Sequence, residues 1–247
     1  MTNAPHHRAT PIIHRFEGAD FGELAADLLL ETVTGKAHPV VGLATGSSPS
    51  PLYRSLAARH TDLSRVSWFA LDEYVGLPAG HPQSYAEVLR REVVEPLGLD
   101  PRAVHLPDPH QADLEASAAS YEASISAAGG VDLQVLGIGR NGHLAFNEPG
   151  AALDSRTRLE ALTADTREAN RRFFPAGEEV PTQCLTQGLG TILEARQLLL
   201  LAQGPAKAEA LHRALHGPLS AECPASVLQL HGHVTILVDD AAGALLG

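Results

Sequence analysis

VDLQVLGIGRNGHLAFNEPG, residues 131–150, reads as a β-strand that breaks into a glycine loop carrying a histidine, and then into an Asn-Glu-Pro-Gly turn. Gly137, Gly139 and Gly142 match the G-x-G-x-x-G spacing of a dinucleotide fingerprint. That fingerprint needs a helix beginning within the glycines, whereas here Pro149 and Gly150 stop any helix early. The glycines are better suited to shaping a tight loop that presents His143 to a pocket, with Asn141 and Glu148 near enough to orient its ring. A carboxylate beside an imidazole fixes its tautomer and favours its charged form, as a proton shuttle requires.

Outward from this stretch, short β-like runs recur at 39–45, 66–71, 197–203 and 233–240. Between them lie segments rich in Ala, Leu and Glu with apolar residues near helical spacing, such as FGELAADLLLETV (21–33), ADLEASAASYEASISAA (112–128) and AKAEALHRALHG (206–217). The strand runs are nearly continuously apolar, as in a sheet covered on both faces. The expected architecture is α/β: a single doubly wound, mostly parallel, Rossmann-like sheet with helices on both faces, and residues 1–247 as one domain. Turn-rich stretches at 75–85 and 147–158 follow strands, where open α/β sheets carry their sites.

The chain has 247 residues, 44% of them hydrophobic, enough for a substantial core. A net charge of −11 with no basic run excludes nucleic acid as an expected partner. The first sixteen residues interrupt every apolar pair with His, Arg or Pro, so neither a signal peptide nor a membrane span is expected. Cys184 and Cys223 form no C-x-x-C pair and read as two reduced thiols of a cytoplasmic protein. An anionic small molecule would need a local positive site built on helix N-termini and a few cations.

TGSSPSPLYRSL (45–56) offers such a site: Gly46 admits close approach of a ligand, and Ser47 and Ser48 add hydroxyl and amide donors where a helix begins. The same stretch also reads as an ordinary strand-to-helix turn with a serine cap. In LDEYVGLP (71–78), side chains alternate, so only one of Asp72 and Glu73 faces a given cleft. A partly desolvated carboxylate there suits a general base; a capping or ion-paired role is the alternative. Arg172 and Lys207 are helical cations, and Lys207 follows a strand-ending turn at a helix start without a compensating anion. His231 and His233 have alternate spacing but no third ligand beside them, so a structural role is expected and no metal site.

Together VGLATGSSP, LDEYVGLPAGHPQSY, GIGRNGHLAFNEPG, SRTR, DTREANRRFF and SVLQLH resemble the glucosamine-6-phosphate deaminase family over nearly the whole chain. The related 6-phosphogluconolactonases share a glycine-histidine loop but typically lack D-E-Y-V-G-L and F-N-E-P. The resemblance implies that His143 opens the ring of an amino-sugar phosphate and that Asp72 moves a proton between C2 and C1. It further implies that Asn141 and Glu148 orient His143, that Gly46, Ser47, Ser48, Arg172 and Lys207 hold the phosphate, and that no metal or organic cofactor takes part. It also suggests a mobile lid within 149–179, with Arg172 reaching the phosphate on closure. Where some members have Asp, this chain has Asn141, which can hydrogen-bond the imidazole without adding charge.

The hexameric, allosterically activated members resemble this chain at Arg158 but carry Ser and Lys where it has Ala151 and Glu160. Glu160 would repel a phosphorylated activator, and the chain ends soon after its last strand. A non-allosteric monomer or small homo-oligomer is therefore expected. Lactone hydrolysis on a sugar phosphate, a non-catalytic sugar-phosphate sensor and, more distantly, an NAD-dependent enzyme are the competing readings. The choice between glucosamine and galactosamine phosphates is left open.

Overall fold

The computed structural model describes residues 10–16 and 20–247; residues 1–9, most of the stretch in which no signal peptide is expected, lie outside them. In chain order the elements are β1 (Ile12–Phe16), α1 (Asp20–Val33), β2 (Val40–Leu43), α2 (Ser50–Arg59), β3 (Ser67–Ala70), β4 (Asp72–Val75) and α3 (Tyr85–Leu89). A π-turn (Arg90–Val94) leads from α3 to α4 (Glu95–Leu97), followed by β5 (Val104–His105), α5 (Leu114–Ala127), β6 (Leu133–Leu136), β7 (Arg158–Ala161) and α6 (Ala164–Asn170). The chain closes with β8 (Gln183–Thr186), α7 (Leu189–Leu193), β9 (Gln197–Ala202), α8 (Ala208–His216) and β10 (Val234–Asp239).

Seven strands form a parallel sheet in the order β1-β10-β9-β6-β2-β3-β5. Strands β2 and β6 are buried at every residue, and β9 at all but its first, as the continuous apolar runs require for a sheet covered on both faces. From β2 the chain winds outward through β3 to β5, then returns to β6 on the other side of β2. The reversal leaves a crevice where the loops after β2 and β6 leave adjacent strands, the position at which open α/β sheets bind ligands.

All five strand runs read from the sequence are strands of this sheet. What the reading did not contain is a second, three-stranded antiparallel sheet in the order β4-β8-β7. Each of its strands has four residues, too few for alternation to stand out. The second sheet has its own apolar cluster of Tyr74, Leu77, Phe146, Leu162, Phe174, Val180 and Cys184. Helices start where capping predicts: Asp113 accepts from Ala116 N–H at 2.9 Å ahead of α5, and Thr163 accepts from Thr166 N–H at 3.2 Å ahead of α6.

The contact between β2 and β6 depends on a missing side chain. Gly42 is paired with Gln134, whose fully buried amide lies over the glycine; a Cβ on Gly42 would sit 1.9 Å from Gln134 Oε1. Gln134 Nε2 is held by Val135 C=O at 2.9 Å, so the amide has little room to withdraw. Gly42→Ala is expected to cost about 1–3 kcal/mol through overpacking. Urea denaturation checks this, and the double variant Gly42→Ala/Gln134→Ala should be more stable than Gly42→Ala alone.

Candidate active site

A cleft of about 380 Å³ opens at the crevice between β2 and β6 and is walled by both sheets. It is lined by Asp72 and His143 and by Gly46, Ser47, Ser48, Arg172 and Lys207. Seven of the nine site residues expected from sequence thus meet in one cavity; Asn141 and Glu148 sit behind His143.

Asp72 is the first residue of β4 and is 5% exposed. The peptide before it is clamped: Ala70 C=O accepts from Tyr121 Oη at 2.5 Å and Gln187 Nε2 at 3.0 Å, and Leu71 C=O accepts from Gln187 N–H at 2.7 Å. Burial, reinforced by the neighbouring charge of Glu73, pushes the Asp72 carboxyl well above the usual carboxylate range. Glu73 points the other way, as strand alternation requires. Its oxygens accept from Tyr74, Tyr85 and Ala86 amides at 2.7–2.8 Å, so it anchors the start of α3. Burial raises its acid too, against the pull of those amides.

His143 lies in a loop closed by Gly139 N–H to His143 C=O and Gly142 N–H to Gly139 C=O, both at 3.0 Å. No helix starts in these glycines, and a Cβ on Gly139 would lie 2.4 Å from the imidazole, so the ring rests directly on bare backbone. The far end of the loop is tied to the second sheet. Phe146 N–H donates to Thr186 Oγ1 at 3.2 Å, Asn147 Nδ2 donates to Gln187 C=O at 2.8 Å, and Arg158 donates to Asn147 Oδ1 at 2.9 Å.

Glu148 Oε2 faces His143 Nδ1 at 3.5 Å. Burial alone would raise its acid, but His143 beside it, with Thr166 and Asn141, holds it down at about 2. Asn141 does not hydrogen-bond the imidazole as the sequence reading allowed. Its Nδ2 donates to Glu148 Oε2 at 2.8 Å and its Oδ1 accepts from the His143 backbone N–H at 3.1 Å. The loop is too tight for an amide two residues away to reach the ring, so Asn141 acts on the backbone and on Glu148.

The cradle after β2 is held by Tyr53, whose hydroxyl donates to Ala44 C=O at 2.7 Å and accepts from Ala44 N–H at 3.2 Å. Ser50 Oγ donates to Gly46 C=O at 3.0 Å, and helix α2 starts directly behind, with Pro49 as its N-cap. Lys207 Nζ donates to Ile138 C=O at 2.7 Å; burial, helped by the charges of Arg172 and Arg140, holds its ammonium below the usual lysine range. The Arg172 guanidinium stands 4.7 Å over the Phe173 ring. Two cations and a helix N-terminus therefore face one cleft, an arrangement that binds phosphate.

Several cleft residues went unread in the sequence. Tyr74, Tyr85 and Asn170 all fall inside quoted motifs, but nothing in their spacing shows that Asn170 Nδ2 donates to Tyr74 Oη at 2.9 Å across 96 positions. Arg91 and Glu92 line the cleft from the π-turn, which has no signature in the sequence. Elsewhere the structural reading of His231 holds: Nε2 lies 2.7 Å from Ala195 C=O while Nδ1 accepts from His233 N–H at 3.1 Å. Cys184 and Cys223 are both buried and free.

The profile of the "Glucosamine-6-phosphate isomerases/6-phosphogluconolactonase" family matches residues 19–237. Glucosamine-6-phosphate deaminases of Pseudarthrobacter chlorophenolicus and Cutibacterium acnes are 53% and 52% identical, each alignment covering 91% of this chain and 88% of the relative. The solved structure of a monomeric glucosamine-6-phosphate deaminase superposes with a TM-score of 0.91 at 38% identity, covering 95% of this chain and 99% of the other. A 6-phosphogluconolactonase from Thermotoga maritima shares the fold, with a TM-score of 0.75 at 21% identity over 93% of this chain and 100% of its own. The chain belongs to the glucosamine-6-phosphate isomerase/6-phosphogluconolactonase family.

Proposed function

We propose that this protein converts glucosamine 6-phosphate and water to fructose 6-phosphate and ammonia, with Asp72 and His143 as its acid-base pair. The observation that carries the reading is the meeting of a desolvated carboxylate and a carboxylate-backed imidazole in one cleft that ends in a cation-lined cradle. The 50% class of identity to deaminases over most of the chain supports the same reaction.

His143 takes the proton of the C1 hydroxyl and returns one to the ring oxygen, opening the sugar to its aldehyde. Ionised Asp72 then removes the C2 proton and delivers it to C1, while a proton leaves the C2 nitrogen and one reaches O1 by way of His143, so that the aldehyde carbon becomes an alcohol and C2 becomes an imine. Water adds at C2, the C–N bond breaks, ammonia leaves, and C2 remains as the ketone. Each step uses a positioned base, a shuttle and donors to the developing oxyanion. Glu148, ionised across the working range, orients His143. The phosphate is held by Gly46, Ser47 and Ser48 with Lys207 and Arg172, all lining the cleft.

Residues 149–179 act as a lid. Asn170 at the end of helix α6, Arg172 and Phe174 line the cleft, with Phe174 edge-on to Tyr74 at 5.7 Å and Glu178 paired with His81. The site draws on both sheets, so the chain works as one sugar-phosphate domain. Arg158, which an activator's phosphate would need, is paired with Glu160 and bound to Asn147. The enzyme is accordingly non-allosteric, a monomer or small homo-oligomer, and its two free buried thiols suit the cytoplasm.

Ammonia release from glucosamine 6-phosphate should be readily measured with the purified protein and should vanish in His143→Gln and Asp72→Asn. Only the ionised Asp72 can take a proton, and its neutral form is favoured by burial, so kcat/KM should fall with decreasing pH along a limb lying above the ordinary carboxylate range. A limb at the ordinary value would contradict Asp72 as base. Arg172→Ala should raise KM by roughly ten- to hundredfold, the worth of a charge-assisted hydrogen bond of about 1.5–3 kcal/mol, with a smaller effect on kcat. Initial rates should be hyperbolic in substrate and unmoved by N-acetylglucosamine 6-phosphate; sigmoidal kinetics relieved by that compound would overturn the non-allosteric reading.

A further inference from the structure

Helix α6 is only seven residues long, yet one end touches the strand that carries Asp72 and the other the carboxylate that faces His143. At its C-terminal end Asn170 donates to the hydroxyl of Tyr74, which lies on β4 two residues beyond Asp72. At its N-terminal end Thr163 makes two hydrogen bonds with one hydroxyl. The oxygen accepts from Thr166 N–H at 3.2 Å, capping the helix, and the proton is directed to Glu148 Oε1 at 3.2 Å. The other carboxylate oxygen of Glu148 faces His143 Nδ1 at 3.5 Å and accepts from Asn141 at 2.8 Å. Glu148 is therefore gripped from two sides, by the histidine's own loop and by the cap of helix α6.

Capping alone does not ask for a donor. Asp113 caps α5 with a carboxylate that only accepts. At position 163 a carboxylate would cap equally well but would set a second negative charge against Glu148. A hydroxyl, with one proton to give and lone pairs to receive, serves the helix and Glu148 together. We propose that Thr163 is a positioning residue: it holds Glu148 in the orientation that aligns His143, and so makes the docking of helix α6 a condition of that alignment. This rests on the deaminase reading above.

Three variants separate the two bonds. Thr163→Ser keeps cap and donor, Thr163→Gly keeps most of the capping preference but loses the donor, and Thr163→Ala loses both. Wild-type ammonia release is measured first, and its absence would defeat the deaminase reading itself. With an active wild type, Thr163→Ser should stay within about twofold in kcat, while Thr163→Gly should lose roughly tenfold or more in kcat, as for a hydrogen bond to a charged group. In Thr163→Gly the KM and thermal midpoint should remain close to wild type. A Thr163→Gly enzyme with unchanged kcat, or a Thr163→Ser enzyme as impaired as Thr163→Gly, would overturn the proposal.

Discussion

Between Ala70 and Asp72 the chain leaves one sheet and enters another without a loop, and the peptide at that junction governs the geometry of the site. Strand β3 ends with Leu71 N–H bonded to Leu43 C=O of the parallel sheet at 3.1 Å. The next carbonyls turn to new partners: Tyr121 and Gln187 take Ala70, and the Gln187 amide takes Leu71. Asp72 therefore projects from a backbone whose polar groups are satisfied by three separate parts of the chain. The backbone carbonyl of the same Gln187 accepts from Asn147, so the loop that carries His143 is registered against the clamp that carries Asp72. Proton transfer needs its groups held to fractions of an ångström, and one glutamine just beyond β8 is bonded to the backbone of both segments.

The charge of the whole chain opposes this function, and burial resolves the conflict. At −11 the molecule repels phosphates at long range, yet that field is screened within about 10 Å at ordinary ionic strength. Within the cleft the local donors are the amides at the start of α2, the Lys207 ammonium and the Arg172 guanidinium. Burial and neighbouring cations hold the affinity of Lys207 for its proton below normal. A cation in that state gains from the arrival of an anion, because the anion removes the repulsion between Lys207, Arg172 and Arg140.

Much of this was legible in the sequence, and what was not has identifiable causes. Five strands of the parallel sheet stood out because strands buried on both faces leave continuous apolar runs. The alternation argument separated Asp72 from Glu73 correctly: Asp72 faces the cleft and Glu73 anchors α3. The second sheet was missed because RLEA (158–161) and QCLT (183–186) are short and half polar. Contacts such as Tyr74 with Asn170, or Gln187 with Ala70 across 117 positions, depend on how distant elements come together, which no local spacing encodes. Asn141 was misplaced for a subtler reason. Its proximity to His143 in sequence suggested contact with the ring, whereas tight turns spend such amides on the backbone.

Three buried carboxylates within the same few elements show how environment assigns roles. Glu148 faces an imidazole and is engaged by Thr166 and Asn141, so against its burial its charged form is favoured and its acid sits at about 2. Because its folded-state value lies below the ordinary one, Glu148 adds stability above the ordinary carboxylate range, and that stability is lost as pH falls from there toward about 2. Glu73 is engaged by three amides yet remains raised through burial, which suits a structural anchor. Among the described residues no donor is directed at Asp72, and burial leaves it with the opposite linkage: its raised acid favours the folded state at low pH, and that contribution fades as pH climbs through the folded-state value. The carboxylate proposed to accept a proton from carbon is thus the one denied hydrogen bonds, since each donor would have stabilised the anion and weakened the base. A raised Asp72 costs some stability near neutral pH, and the depressed acid of Glu148, which faces His143, offsets part of that loss.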